Sequence, residues 1–267
     1  MLKSRRTHLI KALVICMMAL FLLLSLSSCS DREDTWTHPD QGPSPYYERV
    51  CFEQEDGRSV YRRGPVVADK TGVDVSEYQG DIDWEAVASD GIDFVFIRIG
   101  NRGSTEGGLF VDERYDYNLT AAQAAGIECG VYFFSQAISV EEAQEEAAFV
   151  LELLGGRYLD YPVAFDYEVT SGSRIASIKS SEMTAIAQAF CSVIEAGGYR
   201  AMLYGNGYDL ERFDNELRSS YGIWFAEYGD SPSYTARFPI WQYTNHGSVS
   251  GIASEVDLNL DLTDVMN

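Results

Sequence analysis

Two carboxylates stand two residues apart at the close of an apolar run, Pro162-Val163-Ala164-Phe165-Asp166-Tyr167-Glu168. In a strand, side chains at i and i+2 leave the same face, about 7 Å apart at Cα. Like charges held so close cannot both ionise freely, so one carboxyl keeps its proton toward neutral pH. A proton donor beside a second carboxylate suits cleavage of a glycosidic bond. Two more acids follow short apolar runs, Asp74 after Gly72-Val73 and Asp257 after Val256. Singly, an Asp after a strand is ordinarily a helix cap or turn residue. Four acids reaching one rim are harder to explain as caps.

Aromatic residues gather at the ends of the same kind of segment: Tyr132, Phe134, Tyr204, Trp224, Tyr228, Trp241 and Tyr243. Sugar rings present apolar C–H faces that pack on aromatic rings. Tyr132, Tyr204, Trp224, Trp241 and Tyr243 are candidate saccharide contacts, with core packing as the alternative; Phe134 is read as core. Arg98, midway along its run, either faces the site or pairs with a buried acid.

The elements that must position these groups follow from periodicity. Strand candidates are 72–75, 94–100, 128–135, 162–168, 200–205, 222–227, 238–243 and 255–260, and helix candidates are 84–89, 112–125, 140–154 and 181–196. Strands alternating with helices imply parallel pairing, and about eight of them imply a (β/α) barrel, whose chemistry sits at the C-terminal strand ends. The fold class is therefore α/β, an irregular (β/α) barrel. Helices should be missing on the C-terminal side, because the segments between the last strands are short or, like Ser231-Pro232-Ser233, poor in helix formers. Ahead of the barrel, residues 47–63 pattern as a hairpin turning near Asp56-Gly57, either a lid or an edge addition.

The run Gly72-Val73-Asp74-Val75-Ser76-Glu77-Tyr78-Gln79-Gly80 with Ile82-Asp83-Trp84 resembles the opening of glycoside hydrolase family 25, the muramidase lysozymes. In order there follow Phe96-Ile97-Arg98, Asn118, Gly130-Val131-Tyr132-Phe133-Phe134-Ser135, Phe165-Asp166-Tyr167-Glu168, Leu203-Tyr204-Gly205-Asn206, Ile240-Trp241-Gln242-Tyr243 and Val256-Asp257-Leu258-Asn259. Each motif is weak alone; the ordered set is specific, and it spans about residues 71–265. The resemblance implies a flattened barrel that cleaves the β-1,4 bond between N-acetylmuramic acid and N-acetylglucosamine in peptidoglycan. It makes Glu168 the proton donor and Asp166, Asp74 and Asp257 its supporting acids. Tyr78 and Arg98, in matched stretches, join the candidate substrate contacts. No cofactor and no metal are implied.

The first residues pair Lys3, Arg5, Arg6 and Lys11 with an apolar run from Ala12 to Leu26 and then Ser27-Ser28-Cys29. A basic n-region, an h-region and small residues at a cut site form an export signal. Leu26-Ser27-Ser28-Cys29 resembles a lipobox, which makes Cys29 the acylated first mature residue; an uncleaved anchor helix is the alternative. The expected organisation is a signal over 1–28, a proline-containing tether over 29–46, a hairpin-like extension over 47–68 and the barrel over 69–267. The expected location is outside the cytoplasm of a bacterium, on the membrane through the lipid.

Residues 1–28 hold four bases and no acid, so the remainder carries 16 bases against 41 acids, a net charge of −25. That charge repels nucleic acid and anionic lipid headgroups. Cys51, Cys129 and Cys191, widely spaced and odd in number, fit neither a disulfide framework nor a metal site. A monomer working on glycan strands is expected. The competing readings are a wall-binding module that has lost turnover, and a metal-dependent deacetylase, for which His8, His38 and His246 offer no paired spacing.

Overall fold

Among the described residues a small antiparallel sheet comes first, and the chain then winds into a closed barrel. In the computed structural model, which describes residues 42–266 apart from position 171, the sheet consists of β1 (Phe52–Glu55), β2 (Arg58–Arg63) and β3 (Val66–Ala68). Asp56 and Gly57, both at positive φ, make the expected hairpin turn. The third strand was not foreseen. The export signal, Cys29 and most of the tether lie outside the described residues.

The barrel strands are β4 (Thr71–Val75), β5 (Phe94–Arg102), with β6 (Leu109–Val111) folded back on its end, β7 (Glu128–Phe134), β8 (Val163–Asp166), β9 (Ala201–Asn206), β10 (Gly222–Ala226), β11 (Ile240–Gly247) and β12 (Val256–Asp261). The order β4-β5-β7-β8-β9-β10-β11-β12 returns to β4 and closes the ring. All eight expected staves form. Seven run parallel; β12 is antiparallel to both β11 and β4. No crossover helix separates β11 from β12, and a short connection can only return the chain the other way.

Outside the early strands lie α1 (Trp84–Ser89), α2 (Tyr115–Ala124), α3 (Val140–Leu154) and α4 (Ser180–Ala196). The Ser139 hydroxyl caps α3 by accepting the Glu142 N–H, and left-handed Gly155 ends it. Along α4, Met183, Ile186, Ala187, Phe190, Cys191 and Ile194 form the buried stripe, so Cys191 serves as a small core hydrophobe. Inside the ring, Phe94, Phe96, Met202, Tyr204, Trp224 and Ile240 fill the bore. Gly72 and Gly130 make room for them: a Cβ on Gly72 would sit 2.3 Å from the Phe94 ring, and one on Gly130 would sit 2.7 Å from Phe96.

Helices thin out where expected, leaving only α5 (Gly207–Leu210) and α6 (Asn215–Ser220) after β9 and none between β10 and β11. The N-terminal sheet covers that bare wall, and so it is neither a lid nor a simple edge strand. Phe52 packs edge-on against Trp241, with ring centroids 5.1 Å apart, and Tyr47 packs 5.6 Å from both Phe52 and Phe238. The Tyr47 hydroxyl donates to the Tyr234 carbonyl at 2.7 Å. Replacing a buried aromatic by alanine costs about 3–5 kcal/mol. Phe52→Ala is expected to lower urea stability by that order, and a loss below about 1 kcal/mol would mean the sheet is not part of the barrel's core.

A buried ion network ties β5 to α3 just below the rim. The Arg102 guanidinium donates through Nε to Glu146 Oε1 at 2.7 Å, through Nη2 to Glu145 Oε2 at 2.7 Å and through Nη1 to the Gly107 carbonyl at 2.6 Å. Ser135 Oγ, at the end of β7, donates to Glu146 Oε2 at 2.6 Å.

Candidate active site

The acids reach one mouth of the barrel by two routes. Asp74 lies late in β4, and Asp166 closes β8, with Glu168 two residues beyond on the same side. Asp257 lies at the start of β12, directly opposite Asp74 in register. Because β12 runs backwards, its beginning lies at the same rim as the ends of the parallel strands. Asp257 thus reaches the expected rim from the start of an antiparallel strand, not from the end of a parallel one.

The four border a cleft of ≈ 280 Å³, which Arg98, Tyr132 and Gln242 also line. A larger hollow of ≈ 560 Å³ opens between α1 and α2 but holds none of these acids, so convergent chemistry rather than volume marks the site. Asp74 is nearly enclosed, and its Oδ2 accepts from Gln242 Nε2 at 2.9 Å and Asn259 Nδ2 at 2.8 Å. Both amides are oriented in turn. Tyr204 donates to Gln242 Oε1 at 3.0 Å and Tyr228 does so at 3.2 Å, while Trp224 Nε1 donates to Asn259 Oδ1 at 2.7 Å. Asp74 and Asp257 are close enough to perturb each other's ionisation, as are Asp166 and Glu168.

Burial is the first cause that lifts all four carboxyls above the usual range. The Asp257 charge raises Asp74 further, and the two amide bonds oppose the rise. Asp257 is pushed up to about 6. Asp166 rises through burial and then the Glu168 charge. Glu168 reaches about 7 through burial and then the Asp209 charge, against a hydrogen bond from Asp166 that lowers it. Each pair holds a proton in common near neutral pH. Asp166 Oδ1 is buried with no hydrogen-bond partner among the described residues.

This arrangement can protonate a leaving oxygen and stabilise positive charge beside it. Residues 73–252 match the family described as Glycosyl hydrolases family 25. The chain belongs to that family. It is 30% identical over 189 residues to the autolytic lysozyme of Clostridium acetobutylicum, a match covering 70% of this chain and 54% of that protein. It is also 30% identical to lysozyme M1 of Streptomyces globisporus over 240 residues, covering 82% of this chain and 79% of that one. The solved family 25 glycosyl hydrolase of Bacillus anthracis shares the fold, with a TM-score of 0.63 and 24% identity over 76% of this chain and 92% of that one.

Within this family 25 barrel the aromatic candidates divide. Trp224 and Tyr204 floor the cleft, Trp224 stacked 4.4 Å from Phe96 with Tyr204 edge-on at 4.5 Å. Tyr132 lines the wall and half-exposed Tyr228 stands at the rim. Trp241 and Tyr243 do not reach the cleft. They are the outward-facing residues of β11, buried beneath Phe52 and against each other, so both are corrected from saccharide contact to outer core. Phe134 is corrected in the other direction, being half-buried and part of the cleft wall.

Arg98 fulfils both readings, since it lines the cleft while donating to Asp112 at 2.8 Å and Glu77 at 2.9 Å. Tyr78 is mostly exposed, its ring 4.8 Å from the Arg98 guanidinium, and it is a rim residue outside the cleft wall. Gln242 and Asn259 were missed. Their signal was present in parity: Asn259 follows Asp257 by two residues, and Gln242 stands on the face of β11 that Trp241 does not use.

The shared protons have a stability consequence. Unfolded carboxyls titrate near 4. A folded value of about 7 for Glu168 means the native state binds more protons between those limits, so its contribution to stability is full below pH 4 and lost as pH rises through 7. Glu168→Gln should therefore melt above the parent at pH 8, by about 3–4 kcal/mol or about 6–16 °C, and match it at pH 4. An equal difference at both pH values would contradict a raised Glu168.

Proposed function

We propose that this chain is a peptidoglycan hydrolase that cleaves the β-1,4 bond between N-acetylmuramic acid and N-acetylglucosamine. The observation that carries this reading is the convergence of Asp74, Asp166, Glu168 and Asp257 on an aromatic-floored cleft in a family 25 barrel. Glu168, protonated up to about pH 7, donates to the leaving glycosidic oxygen. Positive charge then grows at C1 and is stabilised by the carboxylates around it.

Asp166 is the neighbour that handles the sugar's 2-acetamido group. A nucleophile placed across the bond from its acid stands about 5–5.5 Å away in retaining enzymes, and the two groups are about 6.5–9.5 Å apart in inverting ones. Asp166 and Glu168 instead leave the same side of one strand end, so they do not face each other across the bond. The unpartnered Asp166 Oδ1 suits the acetamido N–H, which turns the amide oxygen toward C1 as the internal nucleophile. Arg98, the cation of the cleft wall, suits the lactyl carboxylate of the muramyl unit.

Residues 1–29 support export and acylation at Cys29, which would hold the enzyme as a monomer on the outer side of a bacterial membrane within reach of the wall. Among the described residues no helix is long and apolar enough to cross a membrane. The test is digestion of purified peptidoglycan by the whole chain, followed by borohydride reduction and identification of new reducing ends. Muramitol ends are the expected product. No new ends across several wall types would favour a saccharide-binding module.

A further inference from the structure

Glu168 lies two residues past the end of β8, where no strand ladder fixes the backbone. The peptide that joins it to Val169 is nevertheless held on both sides. Gln136 Nε2 donates to the Glu168 carbonyl at 3.3 Å, and the Val169 N–H donates to Asp209 Oδ1 at 3.4 Å. Asp209 is itself buried and set in place, with Asn206 Nδ2 donating to its Oδ2 at 3.0 Å and its own N–H donating to Asn206 Oδ1 at 3.1 Å. It belongs to α5, which follows β9 directly, and β9 is the parallel neighbour of β8. Gly205 permits the close approach, since a Cβ there would lie 3.3 Å from Asp209 Cβ.

We propose that Asp209 is a positioning residue for Glu168, gripping the backbone just beyond it and placing a fixed carboxylate behind it. This rests on the reading of Glu168 as proton donor. The groups facing Glu168 are Asp166 from β8, Asp257 from β12, Tyr204 from β9, Tyr228 after β10 and Asp209 from α5. Among the charged ones, Asp209 raises the Glu168 carboxyl most, after burial. A carboxylate here thus has two effects: it keeps the acid protonated at a pH where Asp257 is already charged, and it fixes where the acid points.

The test compares Asp209→Asn, which keeps an acceptor for the Val169 N–H but carries no charge, with Asp209→Ala, which has neither. In the whole chain, ¹³C NMR would follow the Glu168 carboxyl, its signal identified by its loss in Glu168→Gln. Asp209→Asn is expected to lower the Glu168 midpoint by about one pH unit and to shift the alkaline limb of kcat/KM equally. Asp209→Ala should show the same midpoint and, in addition, a kcat about tenfold below that of Asp209→Asn. An unmoved Glu168 midpoint in Asp209→Asn, or equal kcat values for the two variants, would overturn the proposal. Retained turnover in Glu168→Gln would instead remove the proton-donor reading, while the NMR midpoint would still report on Asp209.

Discussion

Glu168→Gln should lower kcat for glycan cleavage by about 10²–10⁴-fold and leave glycan binding within a few-fold of the parent. The sugar leaving group is a poor one unless it is protonated as the bond breaks, and glutamine keeps the shape of the side chain without a proton to give. Asp166 cannot take over the task, because β8 fixes its position two residues short of Glu168. The measurement is the rate of appearance of muramitol-terminated fragments, with a pull-down on insoluble peptidoglycan alongside. A fall in both turnover and binding would assign Glu168 to ground-state recognition; a fall in turnover alone assigns it to the chemical step. The parent rate should decline above about pH 7, as Glu168 loses its proton, and on the acid side as the Asp257 carboxyl, raised to about 6, takes one up.

Arg102→Met should destabilise the fold by about 3–5 kcal/mol, which for a domain of this size is about 6–20 °C in Tm. Arg102 is almost fully enclosed and Glu146 entirely so, and the guanidinium donates to two carboxylates and to the Gly107 and Glu142 carbonyls. Removing it strands Glu146 with the Ser135 hydroxyl as its remaining side-chain donor. Burial already pushes Glu146 up to about 7, so the lost cation would drive it to hold a proton instead. The penalty should accordingly shrink below pH 5, where the group is neutral with or without Arg102. Pairing Arg102→Met with Glu146→Gln should recover part of the loss at pH 8, since no buried charge is then left alone. Thermal melts of the four proteins at pH 5 and pH 8 would check this, and an unchanged penalty at both pH values would count against it.

The same network shows what kind of feature the residue pattern hides. Arg102 and Glu146 are 44 positions apart and meet only because β5 and α3 pack side by side. Nothing local distinguishes Glu146 from Glu141, Glu142 or Glu145 on the same helix, although it alone of these four is fully buried. The N-terminal sheet was half legible for a similar reason. The turn at Asp56-Gly57 is written in residues that tolerate positive φ, but the wall the hairpin covers is assembled from β10 and β11, more than 160 residues later.

Sequence alone determined the eight staves, their helices and the common direction of Asp166 and Glu168, because run length, capping residues and a period of two are local properties of the chain. It also carried the ordered motifs that pointed to family 25. Only the tertiary structure decided the direction of β12, which face of β11 looks inward, and the approach of Asp209 to Glu168. A barrel strand is apolar on both sides, so alternation says which residues share a face but not which face is the bore. Trp241, a candidate saccharide contact by its type, therefore lies in the outer core, while Gln242 lines the cleft. The site's acidity was settled at the same level, since how far a carboxyl is raised depends on the burial and neighbouring charges that chain closure brings to it.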